Sequence, residues 1–235
     1  MNLTSAEFRR IVEQELGITG IRFTDHRCPD DYLAFHGSPG GLVDLSVENR
    51  VRVEERPKDR PCVVLVLESP HKREFTAQDG RVGPALGPTG NRIQRYLETI
   101  LRQSGLWSQV QRCSGLVLVN SIQFQCSLGQ ATRLHRDRVF REVWRRAGWA
   151  DCVERLRAGR VAGDLVLNAC TRGQGIPLCD QVEHAVLEVI KARQSPSGEP
   201  NGLRLYHPFN WMNEARRQPL GPGGSVPPEA LPVQA

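Results

Sequence analysis

Four short apolar segments of this sequence each end in polar residues that are suited to acid–base chemistry or to hydrogen bonding with a ligand. The four polar segments are Glu68-Ser-Pro-His71, Asn120-Ser-Ile-Gln123, Asn168-Ala-Cys-Thr171 and His207-Pro-Phe-Asn210. A carboxyl group can transfer a proton, a carboxamide can donate and accept at once, and an imidazole can donate to a developing oxyanion. Ligands of α/β proteins bind beyond the carboxyl ends of parallel strands, so these segments are expected to form one site.

The segment that follows Glu68 is the longest and the richest in glycine. Glu74 lies six residues after Glu68, and residues 80–90 include four glycines just before a predicted helix. Glycines at the start of a helix let backbone N–H groups come close to a phosphate or a flat ring. A Walker A loop is excluded because the segment has no Gly-Lys-Ser/Thr sequence. The glycine-rich segment is therefore either a ligand-binding loop or an ordinary turn.

The elements predicted from the sequence would bring these polar ends together. Continuous apolar runs are typical of strands that are buried on both faces, and they cover residues 62–67, 115–120, 164–168 and 203–206. Helical patterns cover residues 90–103, 137–157 with a break near Gly148, and 176–191. The alternation of strand and helix predicts an α/β fold, a three-layer sandwich with a central, mostly parallel sheet.

The remaining segments flank this predicted core. Residues 1–60 are predicted to be an N-terminal extension with an amphipathic helix at 4–16, a turn-rich stretch at 25–41 and a hairpin at 42–53. Residues 61–217 would form the main α/β domain. Residues 218–235 are rich in proline and glycine and are predicted to be a disordered tail.

Composition excludes several classes of protein. The 235 residues are 39% hydrophobic and 24% charged, as in an ordinary globular domain. No apolar run approaches the roughly 18 residues that cross a bilayer, and no signal peptide precedes the first helix, so we expect no membrane partner. The seven cysteines include no C-x-x-C pair, which indicates reduced thiols and a cytoplasmic protein.

The charge balance is compatible with nucleic acid. The net charge is +5, and all but three of the 31 basic residues are arginines. The planar guanidinium group suits phosphate, although GC-rich codon usage would produce the same bias without any such partner.

In their order and placement, these residues resemble the uracil-DNA glycosylase superfamily. The closest branch has a first motif G-E-x-P-G followed by an acid, and Leu67-Glu-Ser-Pro-His71 stands in that place, with Glu74 as the following acid. Gly87-Pro-Thr-Gly-Asn91 enters the first core helix, Asn120 ends the next strand, and His207-Pro208 follows the last one. The resemblance covers residues 61–217 and implies a fold of the uracil-DNA-glycosylase type.

The resemblance implies hydrolysis of the N-glycosidic bond of a nucleotide flipped out of duplex DNA, which leaves an abasic site. His207 would stabilise the departing base anion, Asn120 would bind the Watson–Crick edge, and an acid would orient water or stabilise the sugar cation. Glu68 and Glu74 fit the position of that acid equally well. The implied protein is a monomeric, monofunctional DNA glycosylase whose partner is double-stranded DNA and which needs no cofactor or metal.

The base pocket departs from the pattern of the family. Ser69, followed by Pro70, replaces the catalytic aspartate of the best-known uracil enzymes, and His71 occupies the position that guards the C5 edge of the pyrimidine. Phe75 or Phe124 would be the stacking platform. These changes extend the hypothesis from uracil to a C5-modified cytosine such as that of phage DNA, in repair or in antiviral defence. The cysteine ligands of the nearest branch have no counterpart, so no iron–sulfur cluster is expected.

The segment after His207 is expected to contact DNA. Its bulky side chains, Trp211 and Met212 beside Asn210, would fill the gap left by the flipped base. Arg216 and Arg217 would contact phosphates.

Two other classes of function remain open at this stage. A serine or cysteine hydrolase would use Ser69 or Cys170 with His207 as the base. Against it, the sequence lacks G-x-S-x-G, and Pro70 has no N–H to help form an oxyanion hole. The second alternative is a catalytically inactive DNA-binding module on the same fold, which the altered first motif suggests.

Overall fold

One six-stranded sheet organises the computed structural model, which describes residues 3–36, 42–75, 80–174, 177–191 and 202–214. The strands are β1 (Asp31–Ala34), β2 (Arg50–Arg52), β3 (Val63–Leu67), β4 (Gly115–Asn120), β5 (Leu165–Asn168) and β6 (Gly202–Arg204). Their order across the sheet is β2-β1-β4-β3-β5-β6. β3 is parallel to β4 and β5, and β5 is parallel to β6, whereas β1 is antiparallel to both of its neighbours. The predicted α/β class is confirmed, with five of these six strands running in one direction.

Helices cover both faces of the sheet. Within the described residues they are α1 (Ser5–Arg10), α2 (Pro88–Gln103), α3 (Trp107–Val110), α4 (Thr132–Val143), α5 (Trp149–Gly159), α6 (Leu178–Lys191) and α7 (Trp211–Glu214). α1, α4, α5 and α6 pack on one face and α2, α3 and α7 on the other. The result is three layers, as the alternation of strands and helices predicts.

The two faces follow from the alternation of side chains along the central strands. Val64 and Val66 of β3 belong to the core beneath α4 to α6, and Leu65 and Leu67 belong to the core beneath α2. Every residue of β3 and β4 is buried. Strands buried on both faces need apolar residues at every position, which is why these two runs were recognisable in the sequence.

The turn-rich stretch predicted at residues 25–41 is corrected at Asp31–Ala34, because β1 lies there. This strand carries a fully buried carboxylate, Asp31, which is paired with the guanidinium groups of Arg50, Arg52 and Arg81. The arginines neutralise the charge, but they lie too far along the chain for a local pattern to reveal the pairing. The predicted hairpin at 42–53 is also corrected, since β2 pairs with β1 instead. The first 60 residues thus supply two strands of the sheet.

Two predicted features of the helices are confirmed. The long helical pattern does break near Gly148, where a π-helical turn, Trp144–Gly148, separates α4 from α5. The N-terminal helix begins after Thr4, whose side chain forms a capping box with Glu7. Within the described ranges, no helix combines the length and the hydropathy needed to cross a membrane.

A small internal cavity lies between the sheet and α5. Its volume is about 20 Å³, and its lining includes Asp30, Arg56 and Arg155 among aliphatic side chains. This space suits a water molecule and is too small for a nucleobase.

Candidate active site at the carboxyl ends of the strands

The topology of the sheet predicts a ligand-binding crevice between β3 and β5. The chain leaves β3 through α2 to reach β4 on one side, and it leaves β5 through α6 to reach β6 on the other side. Neighbouring parallel strands whose connections diverge in this way open a crevice at their carboxyl ends, where ligands of such folds bind. Glu68 directly follows β3, and Cys170 lies two residues beyond β5.

Glu68 is a buried acid in this crevice. Its carboxylate accepts a hydrogen bond from the hydroxyl of Ser69 at 3.1 Å and lies 3.6 Å from Nε of Arg136 in the first half of α4. Burial raises the pKa of Glu68 from its ordinary 4.5 to about 7, against the opposing effects of Arg136 and Ser69. The carboxyl group can therefore give up or take up a proton near neutral pH.

His207 is near the same arginine. It follows β6, and burial together with the positive charge of Arg136 lowers the pKa of its imidazole to about 4. His207 is consequently neutral at pH 7, a state in which a ring N–H can still donate to a developing anion. Arg136 thus links the predicted acid Glu68 to the predicted electrophile His207.

The second predicted acid, Glu74, belongs with Asn120. The amide Nδ2 of Asn120 donates to the carboxylate of Glu74 at 3.3 Å and lies 3.5 Å from Sγ of Cys28. All three side chains are buried. Burial raises the pKa of Glu74 to about 7, although hydrogen bonds from Asn120 and from the backbone of Ala85 oppose the shift.

The backbone around Asn120 is clamped by Arg155, whose side chain is 14% exposed. Nη2 of Arg155 donates to the carbonyl oxygens of Asn120 at 2.9 Å and of Ser121 at 3.0 Å. The remaining donors of the same guanidinium reach the carboxylates of Asp30 and Asp151 at 2.6 and 2.8 Å. The exit of β4 is therefore held rigidly, and so is the amide that the sequence predicts to bind a base.

The two acids lie on different sides of the sheet. Asn120 continues the alternation of Leu116 and Leu118 toward the α2 face, whereas Glu68 continues that of Val64 and Val66 toward the α4 face. The structure thus groups Glu68 with Ser69 and with Arg136, whose charge also acts on His207, and it groups Glu74 with Asn120. The sequence could not distinguish the roles of the two acids, whereas the side chains around each acid do distinguish them.

The other residues predicted around the base lie between the two acids or directly after the second one. Pro70 is buried, His71 is exposed, and Phe75 is half-buried. The His71 ring caps a short 3₁₀ turn, Lys72–Glu74, by accepting from the backbone N–H of Arg73 at 3.3 Å. This turn is what carries Glu74 back into the interior.

Two predicted contacts with the substrate are corrected by the packing. Phe124 is fully buried and stacks on Phe8 with ring centroids 4.8 Å apart, so its ring belongs to the core and is no platform for a base. Trp211 is also fully buried, and its indole N–H donates to the carbonyl of Tyr206, so it cannot act as a wedge in DNA. Both side chains are large aromatic groups, and their burial in the core is favourable because it removes a large apolar surface from water.

Of the apolar side chains predicted to contact DNA after His207, Met212 is exposed. Met212 has 39% of its surface exposed, and Asn210 is half-buried at the start of α7. Arg216 and Arg217 lie outside the described residues.

The glycine-rich loop is folded around arginines. Arg50 donates to the carbonyl oxygens of Pro84 and Ala85, and Arg52 donates to that of Val82. The loop thus turns these carbonyls inward. It bonds to the carboxylate of Glu74 through the backbone of Ala85.

Four residues of the site were not identified from the sequence: Cys28, Arg50, Arg136 and Arg155. Three of these four residues are arginines, and the chain contains 28 arginines in total. No local signal marks these three, since each is defined by a distant carboxylate or carbonyl.

The contacts around Cys170 and Ser69 do not form a nucleophilic dyad. Burial, with a contribution from Glu68, raises the pKa of the Cys170 thiol well above its usual range, which disfavours the thiolate that would attack a substrate. The hydroxyl of Ser69 donates to Glu68. All seven cysteines are buried as free thiols.

Among the described residues, no group of three or more His, Cys, Asp and Glu side chains is arranged to hold a metal ion. Comparison with protein-family models, with curated proteins and with solved structures gave no match to this chain. The function must therefore be argued from the geometry of its own residues.

Proposed function

We propose that this protein is a DNA glycosylase that hydrolyses the N-glycosidic bond of a pyrimidine flipped out of duplex DNA, either uracil or a C5-modified cytosine. The observation that carries the proposal is Arg136 at the carboxyl ends of the strands, whose guanidinium lies 3.6 Å from Glu68 and whose charge also acts on His207. Glu68 has a pKa of about 7, and His207 is neutral at that pH. Hydrolysis with an anionic leaving group needs these two states together.

Glu68 is the group that would activate water. A carboxyl with a pKa near the working pH is deprotonated in a large fraction of molecules and still basic enough to accept a proton. Its ionised form would also stabilise the positive charge that develops on the sugar as the base departs. Arg136 keeps the ionised form of Glu68 accessible, because its charge opposes the effect of burial.

His207 would stabilise the departing base. The negative charge of the base collects on its carbonyl oxygen, and a neutral imidazole can donate a hydrogen bond there without first losing a proton. The pKa of about 4 ensures this neutral state throughout the neutral range of pH.

Glu74 and Asn120 would hold a base that lies across the ends of β3 and β4, because Asn120 is paired in register with Leu67, the residue before Glu68. With its nitrogen fixed on the carboxylate of Glu74, the amide of Asn120 offers its oxygen as an acceptor for an N–H on the edge of a pyrimidine. Asn120 is rigid because Arg155 clamps its backbone. In this arrangement Glu74 orients Asn120, and Glu68 is the carboxylate that activates water.

The rim of the crevice suits a phosphate backbone. Arg73 follows β3, Arg133 lies at the start of α4, and Arg172 follows β5. All three side chains are exposed, and within the described part of the chain they have no ion-pair partner among the acids. Arginines without an acidic partner at the edge of a site favour a polyanionic ligand, and duplex DNA with its regular phosphates is one.

The proposal is tested by incubating the protein with duplexes that contain uracil, cytosine, 5-methylcytosine or 5-hydroxymethylcytosine at one position and then cleaving abasic sites with alkali. We expect strand cleavage at uracil or at a C5-modified cytosine, and none with Glu68→Gln. Cys170→Ala is the matched control at the same crevice, and it should retain cleavage. Binding of all duplexes without release of any base would contradict the proposal and favour an inactive DNA-binding module.

A further inference from the structure

The loop that carries the glycines is built on a buried arginine from the N-terminal segment. The guanidinium of Arg50 in β2 is fully buried and donates to the carbonyl oxygens of Leu45 at 3.1 Å, Pro84 at 2.5 Å and Ala85 at 3.2 Å. It also pairs with Asp31 at 3.3 Å. These contacts use all three nitrogens of the side chain, so the loop has no freedom to slide over β2.

Asp31 completes the support from the neighbouring strand. Its buried carboxylate pairs with Arg50, Arg52 and Arg81. A Cβ atom at Gly83 would run into this carboxylate, which explains why the loop needs a glycine there. The loop is therefore packed closely against the two N-terminal strands, β1 and β2.

The same loop holds Glu74. The N–H of Gly83 donates to the carbonyl oxygen of Glu74 at 3.3 Å, and the backbone of Ala85 bonds to its carboxylate. The carboxylate in turn accepts from the amide of Asn120 at 3.3 Å. A continuous chain of contacts thus leads from Arg50 through the loop to Glu74 and Asn120.

We propose that Arg50 is a positioning residue that holds the carboxylate of Glu74 against Asn120 through the backbone of residues 83–85. The proposal rests on the proposed function only for its consequence in catalysis, since the positioning itself is a property of the free protein. It also assigns a role to the N-terminal segment, whose strand β2 supports the loop that holds Glu74.

The electrostatic surroundings of Glu74 make the positioning measurable. The groups that face its carboxylate are the amide of Asn120, the backbone of Ala85 and of His71, the thiol of Cys28 and the charge of Arg50. Asp31 and Arg81 lie beyond Arg50. The hydrogen bonds and Arg50 lower the pKa of Glu74, against burial, which raises it. Loss of the Ala85 contact should therefore raise the pKa of Glu74 further and leave that of Glu68 unchanged.

The experiment is a titration of glutamate side-chain carboxyl carbons by NMR in the wild-type protein and in Arg50→Lys. Lysine keeps the charge but cannot bond to both loop carbonyls, Leu45 and Asp31 at once. We expect the titration midpoint of Glu74 to move to higher pH while that of Glu68 stays. The matched control is Arg56→Lys, at an equally buried arginine whose partner is Asp164. The control should leave both midpoints in place.

A second variant covers the case in which Arg50→Lys does not fold. Arg52→Lys changes a partly exposed arginine that donates to Val82 and Asp31, and it should produce a smaller shift of Glu74 in the same direction. If Arg50→Lys folds, an unchanged titration midpoint of Glu74 would overturn the proposal. If it does not fold, an unchanged midpoint in Arg52→Lys would overturn it. If the protein excises a base, Arg50→Lys should also lower the rate roughly tenfold to a hundredfold more than Arg56→Lys, the effect of a misplaced site residue. A protein without any excision would still give the NMR result, so the two proposals fail separately.

Discussion

Glu68 and Glu74 are two buried acids in one loop, and their pKa values are both raised to about 7. Their surroundings differ. Glu74 faces mainly hydrogen-bond donors, the amide of Asn120 and the backbone of Ala85, so its carboxylate is occupied within the protein. Glu68 faces one hydroxyl and an arginine that also lies near His207. The comparison teaches that a raised pKa alone does not identify a catalytic acid, and that the partners of the carboxylate separate a reacting group from an orienting one.

The largest expected effect is on the Glu68 side. Glu68→Gln keeps the shape of the side chain but cannot accept a proton, so base excision should fall by about 10²–10⁴-fold, the usual contribution of a general base. Single-turnover excision assays measure the loss. Excision by Glu68→Gln at the wild-type rate, with Glu74→Gln inactive, would exchange the roles of the two acids.

The next largest effect is expected at His207. His207→Ala removes the neutral donor to the departing base, and the loss of one oxyanion contact typically costs about 10²–10³ in rate. The rate should fall at saturating DNA while the affinity for DNA changes little, because the contact strengthens only as the bond breaks. A variant that loses affinity and keeps its rate would place His207 in DNA binding instead.

A smaller effect is expected on the Glu74 side. Asn120→Ala and Glu74→Gln should each raise the barrier to excision by about 1–3 kcal/mol, the cost of leaving a buried hydrogen-bonding group without its partner. The double variant should lose little more than Asn120→Ala alone, because Glu74 acts through Asn120. Additive losses in this double-mutant cycle would mean that Glu74 contacts the substrate independently.

A separate effect is expected on stability, and its dependence on pH reveals it. The folded protein holds a proton on Glu68 up to a pKa of about 7, whereas the unfolded chain releases it near the ordinary 4.5. The contribution of Glu68 to stability therefore falls as the pH rises from 4.5 to 7 and stays low above it. Glu68→Gln cannot titrate, so its melting temperature relative to wild type should increase from pH 5 to pH 8. A difference that is constant across this range would show that the pKa of Glu68 is not raised.

The parts of the molecule that follow from local pattern were predictable from the sequence. The apolar runs of β3 and β4 are buried at every position, so their composition alone identified them. The position of Glu68 after such a strand was enough to predict an acid at a strand end. The same holds for α2, whose apolar residues recur with helical spacing and whose start is marked by glycine and proline.

The parts that depend on distant partners were not predictable. β1 was missed because its buried Asp31 is tolerated only in the company of three arginines from elsewhere in the chain. Phe124 and Trp211 were assigned to the substrate because nothing in the sequence distinguishes an aromatic ring in a loop from one in the core. Arg136 carried no local signal, yet it joins the two residues on which the proposed chemistry depends.

The most direct test of the central claim is to quantify free base by mass spectrometry after the protein has acted on duplexes that contain uracil or a C5-modified cytosine. We predict that the wild-type protein releases the free base and leaves an abasic strand, and that Glu68→Gln with a wild-type melting profile does not. Release at equal rates by both proteins, or no release from any duplex, would contradict the assignment of Glu68 as the general base of a DNA glycosylase.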